Sequence, residues 1–232
     1  MYGRTAWEPF IAEADEALTI YLRSQGMELN LSTFPTEFRK RLDEYFRQRE
    51  NDLLESTYTQ VLREVLKEKG YNDVSSDLLR HALDALFTVT QSNWALEADA
   101  VPTLQKLEES GYRLGIISNA GDDQDVQKLV RKFKIRQYFD FILTSAACSY
   151  RKPHPRIFEL ALANWYLLPS EAVMVGDNLT ADVFGAQNAG LYGVWLNRRA
   201  DPLMEKQEAV SPNASLSSLS ELPTLLDRLQ VK

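Results

Sequence analysis

The chain has 232 residues, 44% apolar and 25% charged, a balance that suits a globular protein and excludes a disordered one. Twenty-six Lys and Arg against 33 Asp and Glu give a net charge of −7, which disfavours general nucleic-acid binding because phosphate backbones reward clustered positive charge. Cys148 stands alone, so an intrachain disulfide and a Cys-based zinc site are excluded, and a reducing, cytoplasmic setting is expected. No window approaches the roughly 18 apolar residues of a membrane span. The start, MYGRTAWEPFIAEADEALTIY, lacks the apolar stretch of a signal peptide.

The pattern changes near residue 95. Over residues 10–95, apolar side chains recur only at helical spacing. Phe10–Arg23 places Ile11, Ala14, Leu18 and Leu22 on one face, and Gly26 marks its end. Pro35–Arg49 and Asn51–Lys69 repeat the pattern, the latter with Leu54, Tyr58, Val61, Leu62, Val65 and Leu66 inward and Gly70 as its stop. Asp77–Thr88 forms a fourth helix capped by Ser75 or Ser76. Four amphipathic helices with short joints read as a small bundle, whose charges sit on outward faces and gather no chemistry.

Residues 96–232 alternate helices with short apolar runs. Helix Val101–Ser110 precedes strand Tyr112–Ile117, and helix Asp123–Lys134 precedes strand Phe139–Thr144. Helix Arg156–Leu167, led by Pro155, is followed by strand Ala172–Val175. Helix Ala181–Asn188, strand Tyr192–Leu196 and a last helix over Leu216–Leu229, with a kink at Pro223, complete the series. Apolar rather than alternating strands, separated by helices, indicate an α/β fold with a parallel sheet covered on both faces. Such sheets bind ligands at the carboxyl ends of their strands.

Three strand ends carry polar residues. The first strand runs into Ser118-Asn119-Ala120-Gly121, where a hydroxyl and free backbone N–H groups suit a phosphate; Ser118 or Asn119 capping the next helix is the structural alternative. Strand Ala172–Val175 runs into Gly176-Asp177-Asn178-Leu179-Thr180-Ala181-Asp182. Its two carboxylates flank a strand-to-helix corner, as a hard divalent cation with retained waters requires, or else Asp177 caps and Asp182 is solvated. After strand Phe139–Thr144, prolines at 153 and 155 stiffen the chain around Lys152 and His154, which reduces the entropy lost in aiming the Lys152 ammonium. His81 and His154 are the only histidines, which argues against a Ser–His–Asp triad or a His-based metal site.

In order, Ile116-Ile117-Ser118-Asn119, Arg151-Lys152-Pro153-His154-Pro155-Arg156-Ile157-Phe158, and Val175-Gly176-Asp177-Asn178-Leu179-Thr180-Ala181-Asp182-Val183 with Gly185-Ala186 and Asn188-Ala189-Gly190 resemble the haloacid dehalogenase-like hydrolase superfamily. The segment 10–95 is similar to the helical cap that one branch inserts after its first strand, and 96–232 to the hydrolase core. The resemblance implies a Rossmann-like sheet and Mg²⁺-dependent hydrolysis of a small phosphorylated substrate. By motif match, Ser118 and Asn119 would contact the phosphoryl group, Lys152 would balance negative charge, and Asp177 with Asp182 would hold the metal. No nucleic-acid or membrane partner is implied.

Members of that family open with a strand ending in a nucleophilic Asp, and this chain shows no such segment. Residues 1–9 are read as the remnant of that loop, because Met1-Tyr2-Gly3 followed by Thr5 resembles the motif's tail with the Asp falling just before Met1; Arg4 departs from it. The central first strand is therefore expected to be missing and the chain as given to be inactive and aggregation-prone. In that register Tyr2 replaces the usual acid–base Asp, as in metal-independent 2-haloacid dehalogenase relatives, whereas Asp177 after Gly176 favours a phosphatase. A dehalogenase and a non-catalytic phosphate- or partner-binding scaffold are the alternative readings.

Overall fold

The computed structural model describes residues 2–3, 6–199 and 210–229, and the chain divides into two compact units. Residues 1, 4 and 5, which carry part of the match to the nucleophile loop, lie outside the described residues.

The first unit comprises residues 1–97 and 121–129. It holds α1 (Glu8–Ser24), α2 (Phe34–Asp52), α3 (Tyr58–Glu68) and α4 (Ser76–Asn93). The helical stripes bury Leu18, Leu22, Phe34, Phe38, Leu42, Leu62, Leu66, Leu79 and Leu83 in one core. Strand β1 (Tyr2–Gly3) pairs antiparallel with β2 (Trp94–Ala95), and Trp7 and Trp94 lie with ring centres 5.2 Å apart.

One local reading is corrected here. The helix expected over Asn51–Lys69 begins only at Tyr58, because Leu53 ends α2 in a left-handed conformation (φ 57°) and Thr57 with Gln60 forms a capping box. The helical periodicity runs across this break, so periodicity alone reads through it. The first unit also takes in Gly121–Leu129. Gly121 O accepts from Tyr58 N at 2.9 Å, Asp122 pairs with Arg80 at 2.7 Å, and Lys128 pairs with Asp84 at 2.6 Å.

The second unit, residues 98–120 and 130–232, carries the parallel strands. In one sheet β3 (Gly115–Ser118) pairs with β4 (Phe141–Thr144), with Ser118 opposite Thr144. In the other, β5 (Val173–Gly176), β6 (Tyr192–Leu196) and β7 (Ala214–Leu216) lie side by side in that order, with Gly176 opposite Trp195. Helices α5 (Ala100–Glu109), α7 (Ser145–Cys148), α8 (Pro155–Ala163), α9 (Gly185–Asn188) and α10 (Leu222–Leu229) belong to this unit, and α6 (Asp123–Lys132) runs across the boundary. One apolar cluster, built on Ile157, Phe158, Leu162, Ala186 and Leu191, receives Ile117, Leu143 and Met174 from both sheets. A second, on the β5–β6–β7 sheet, joins Val173, Val175 and Val194 to Leu107, Leu222 and Leu226. The sheets are thus covered on two faces, the arrangement expected of a parallel α/β fold.

Burial departs from expectation at two strands. Every residue of β3 and of β5 is only partly buried, although apolar strands of a covered parallel sheet are normally interior. Among the described residues β3 pairs only with β4, and β5 only with β6, so each keeps one unpaired edge. The helix expected over Leu216–Leu229 is also revised. Its first residues form β7 by pairing with β6, and α10 starts at Leu222 with Pro223 in its first turn, where a missing N–H is harmless and no kink results.

Candidate active site

The carboxyl ends of β3 and β5 bring most of the sequence-selected residues together in the second unit. Lys152, after β4, has a side chain only 9% exposed; its ammonium donates to Ile117 O at 2.8 Å and stands 2.6 Å from Asp182 Oδ1. One buried cation therefore joins the end of β3 to the turn after β5. In this largely desolvated setting, removing one partner of the pair would strand the other.

Asn119 closes the same arrangement from the backbone. Its Nδ2 donates to Lys152 O at 2.8 Å, and its Oδ1 accepts from Lys152 N at 2.8 Å. Both ends of the amide are thereby engaged by the backbone of one residue. Ser118, the last residue of β3, is half-buried beside it.

Asp182 sits in a π-helical turn, Leu179–Phe184, where a continuous α-helix from Ala181 was expected. Such turns recur at functional sites because they shift one side chain out of helical register. The carboxyl is anchored by Asn178 N, which donates to Oδ2 at 3.0 Å, and Asn178 Oδ1 in turn caps Ala181 N at 2.6 Å. A Cβ on Gly176 would overlap the Asp182 carboxyl, so glycine is what allows that side chain to lie across the end of β5. Asp177 is exposed, and its carbonyl accepts from Trp195 Nε1 at 3.1 Å, which ties the turn to β6.

Sequence reasoning overlooked the end of β4. Thr144 and Ser145 are fully buried. Ser145 Oγ accepts from Ala120 N at 2.9 Å and donates to Ala120 O at 3.2 Å, and Ala146 N reaches the same carbonyl at 3.1 Å. The hydroxyl thus holds the peptide that follows Ser118-Asn119. The available signal was positional, since Thr144-Ser145 is itself polar and directly follows a strand. His154 instead caps α8, accepting from Arg156 N through Nδ1 at 3.1 Å, and contributes nothing to the cluster described.

The donor set suits a hard cation that keeps several waters. Asp182 Oδ1 is buried and meets the ammonium as a charge contact without an aligned hydrogen bond, and Asp177 supplies a second, solvent-facing carboxylate. Among the described residues no group of three His, Cys, Asp or Glu is placed to hold a metal.

Comparison with known proteins follows this geometry. A glyceraldehyde 3-phosphate phosphatase of Pyrococcus furiosus is 34% identical over 130 residues, 55% of this chain and 52% of that protein, so the chain spans about half the length of this curated relative. The crystal structure of a 2-haloacid dehalogenase from Pseudomonas syringae pv. Tomato DC3000 matches 99% of this chain and 96% of its own at 26% identity, with a TM-score of 0.67. That of an HAD phosphatase from Thermococcus onnurineus matches 94% of this chain and 88% of its own at 25% identity, with a TM-score of 0.61. The sequence profile of the haloacid dehalogenase-like hydrolases covers residues 27–195, a span that takes in Ser118, Lys152, Asp177 and Asp182, and the chain belongs to that family.

Proposed function

We propose that the protein is a phosphoric monoester hydrolase acting on a small phosphorylated metabolite, with Mg²⁺ as its cofactor. The observation that carries this reading is the Lys152 ammonium, held between Ile117 O and Asp182 Oδ1 at the ends of two strands. A fixed, desolvated cation at a strand end is suited to a phosphoryl group whose negative charge grows during transfer. The phosphatase activities of relatives similar over part of this chain support it.

In this reading Ser118 Oγ donates to a phosphoryl oxygen, and Lys152 offsets charge on the phosphoryl group. Asp182, oriented by Asn178 N, and Asp177 hold the cation. Bound there, Mg²⁺ supplies charge neutralisation and alignment of the phosphoryl oxygens. The attacking group is a carboxylate: its oxygen bonds to phosphorus as the ester P–O bond breaks, the leaving alkoxide takes a proton from water, and a second water hydrolyses the acyl phosphate to inorganic phosphate and the free carboxylate. None of the four residues serves as that nucleophile. We place it on a strand that would pair with the edges of β3 and β5 left without a strand partner among the described residues.

The test is hydrolysis of a generic phosphate ester with Mg²⁺ by the protein, in which Lys152→Ala or Asp177→Ala should abolish turnover. The likeness to a 2-haloacid dehalogenase favours a second reading, which halide release without Mg²⁺ would establish. Silence in both assays would leave a non-catalytic scaffold.

A further inference from the structure

We propose that Asn119 is a positioning residue for Lys152 and makes no contact with the substrate through its side chain. The inference rests on the phosphatase reading for what Lys152 does, and on geometry alone for what Asn119 does. It replaces the role that the sequence pattern suggested, in which Asn119 reaches the phosphoryl group itself.

The geometry commits both the oxygen and the nitrogen of the Asn119 amide to Lys152. A neutral side-chain amide has one carbonyl and one NH₂ group. Here Oδ1 accepts from Lys152 N and Nδ2 donates to Lys152 O, both at 2.8 Å, so the amide grips a single residue's backbone from both sides. With Lys152 Nζ on Ile117 O at 2.8 Å, three hydrogen bonds join residues 117–119 to Lys152. The backbone pair fixes where the long side chain starts; Ile117 O and Asp182 fix where it ends. A lysine stem has four rotatable bonds, so an ammonium held at both ends loses little further entropy when it receives an anion.

No other side chain reproduces this grip. Aspartate keeps the acceptor but sets a second oxygen against Lys152 O, serine is too short to span both groups, and glutamine adds a methylene that displaces the amide. The neighbouring Ser118 makes the useful contrast, since the phosphatase reading gives it a direct contact.

The closing experiment uses the full chain in two measurements. The first follows the ¹³Cε resonance of Lys152 in ligand-free protein. Asn119→Ala should shift and broaden that signal, although the atom lies at the far end of the side chain from the lost hydrogen bonds, and Asn119→Asp should do so too. An unmoved signal in both variants overturns the proposal, whether or not the protein binds phosphate. The second titrates inorganic phosphate in a double-mutant cycle with Lys152→Gln, chosen because glutamine can still hydrogen-bond the buried Asp182 carboxylate. Asn119→Ala should weaken binding on the order of tenfold in the native background and have no further effect once Lys152 is glutamine, as expected of residues acting as one unit. Ser118→Ala should weaken it in both backgrounds. Equal losses from Asn119→Ala in both backgrounds would mean direct contact and overturn the inference. Absence of phosphate binding in the native chain would count against the phosphatase reading only, and the lysine signal would still decide the role of Asn119.

Discussion

At the scale of single residues, small changes have large expected effects where the chain leaves no room. Gly176→Ala puts a methyl group onto the Asp182 carboxyl, so it should displace that carboxylate and weaken metal and phosphate binding while the helical unit is unchanged. Affinity measured beside a circular-dichroism melt separates the two; unaltered affinity would contradict the assigned position of Asp182. Asp125 offers a different test. It accepts from Gln91 at 2.7 Å and lies near Asp122, Arg80 and Lys128. Burial first, then the Asp122 carboxylate, pushes its pKa up to about 6. A carboxyl raised above its unfolded value binds more protons in the native state, so its contribution is greatest at low pH and falls as pH rises from about 4 through about 6. Asp125→Asn should therefore be relatively more stable at pH 7 than at pH 4.5 when denaturant midpoints are compared with the parent. An equal difference at both pH values would refute this.

At the scale of elements, boundaries were the least legible part of the sequence. The strand ends that carry Ser118, Lys152 and Asp182 were readable because turn glycines, prolines and apolar runs are local signals. The start of α3 was misread because helical spacing persists across residues 53–57, while the deciding feature was the Thr57–Gln60 capping box. Thr57→Ala should cost about 1 kcal/mol in a denaturation measurement; no loss would mean that packing, not the cap, starts the helix. Strand β7 could not be read at all, since Ala214, Ser215 and Leu216 gain strand character only from pairing with β6. The grip of Asn119 on Lys152 was equally invisible, because it joins residues 33 apart.

At the scale of the whole molecule, the edges of β3 and β5 that have no strand partner among the described residues matter most. Open edges with partly exposed apolar residues are templates for association. A buried backbone group left unpaired costs about 1–3 kcal/mol against a total stability of roughly 5–15 kcal/mol. The chain as given should therefore associate with rising concentration in light scattering. A monodisperse monomer with a sharp, reversible melt would count against open edges in solution.

The proposed cation-and-phosphate site is tested most directly by calorimetric titration of inorganic phosphate with and without Mg²⁺, in the native chain and in Asp177→Ala. The account predicts phosphate binding that strengthens with Mg²⁺ and loses that dependence in the variant. Binding indifferent to Mg²⁺, or unaffected by the substitution, would contradict it.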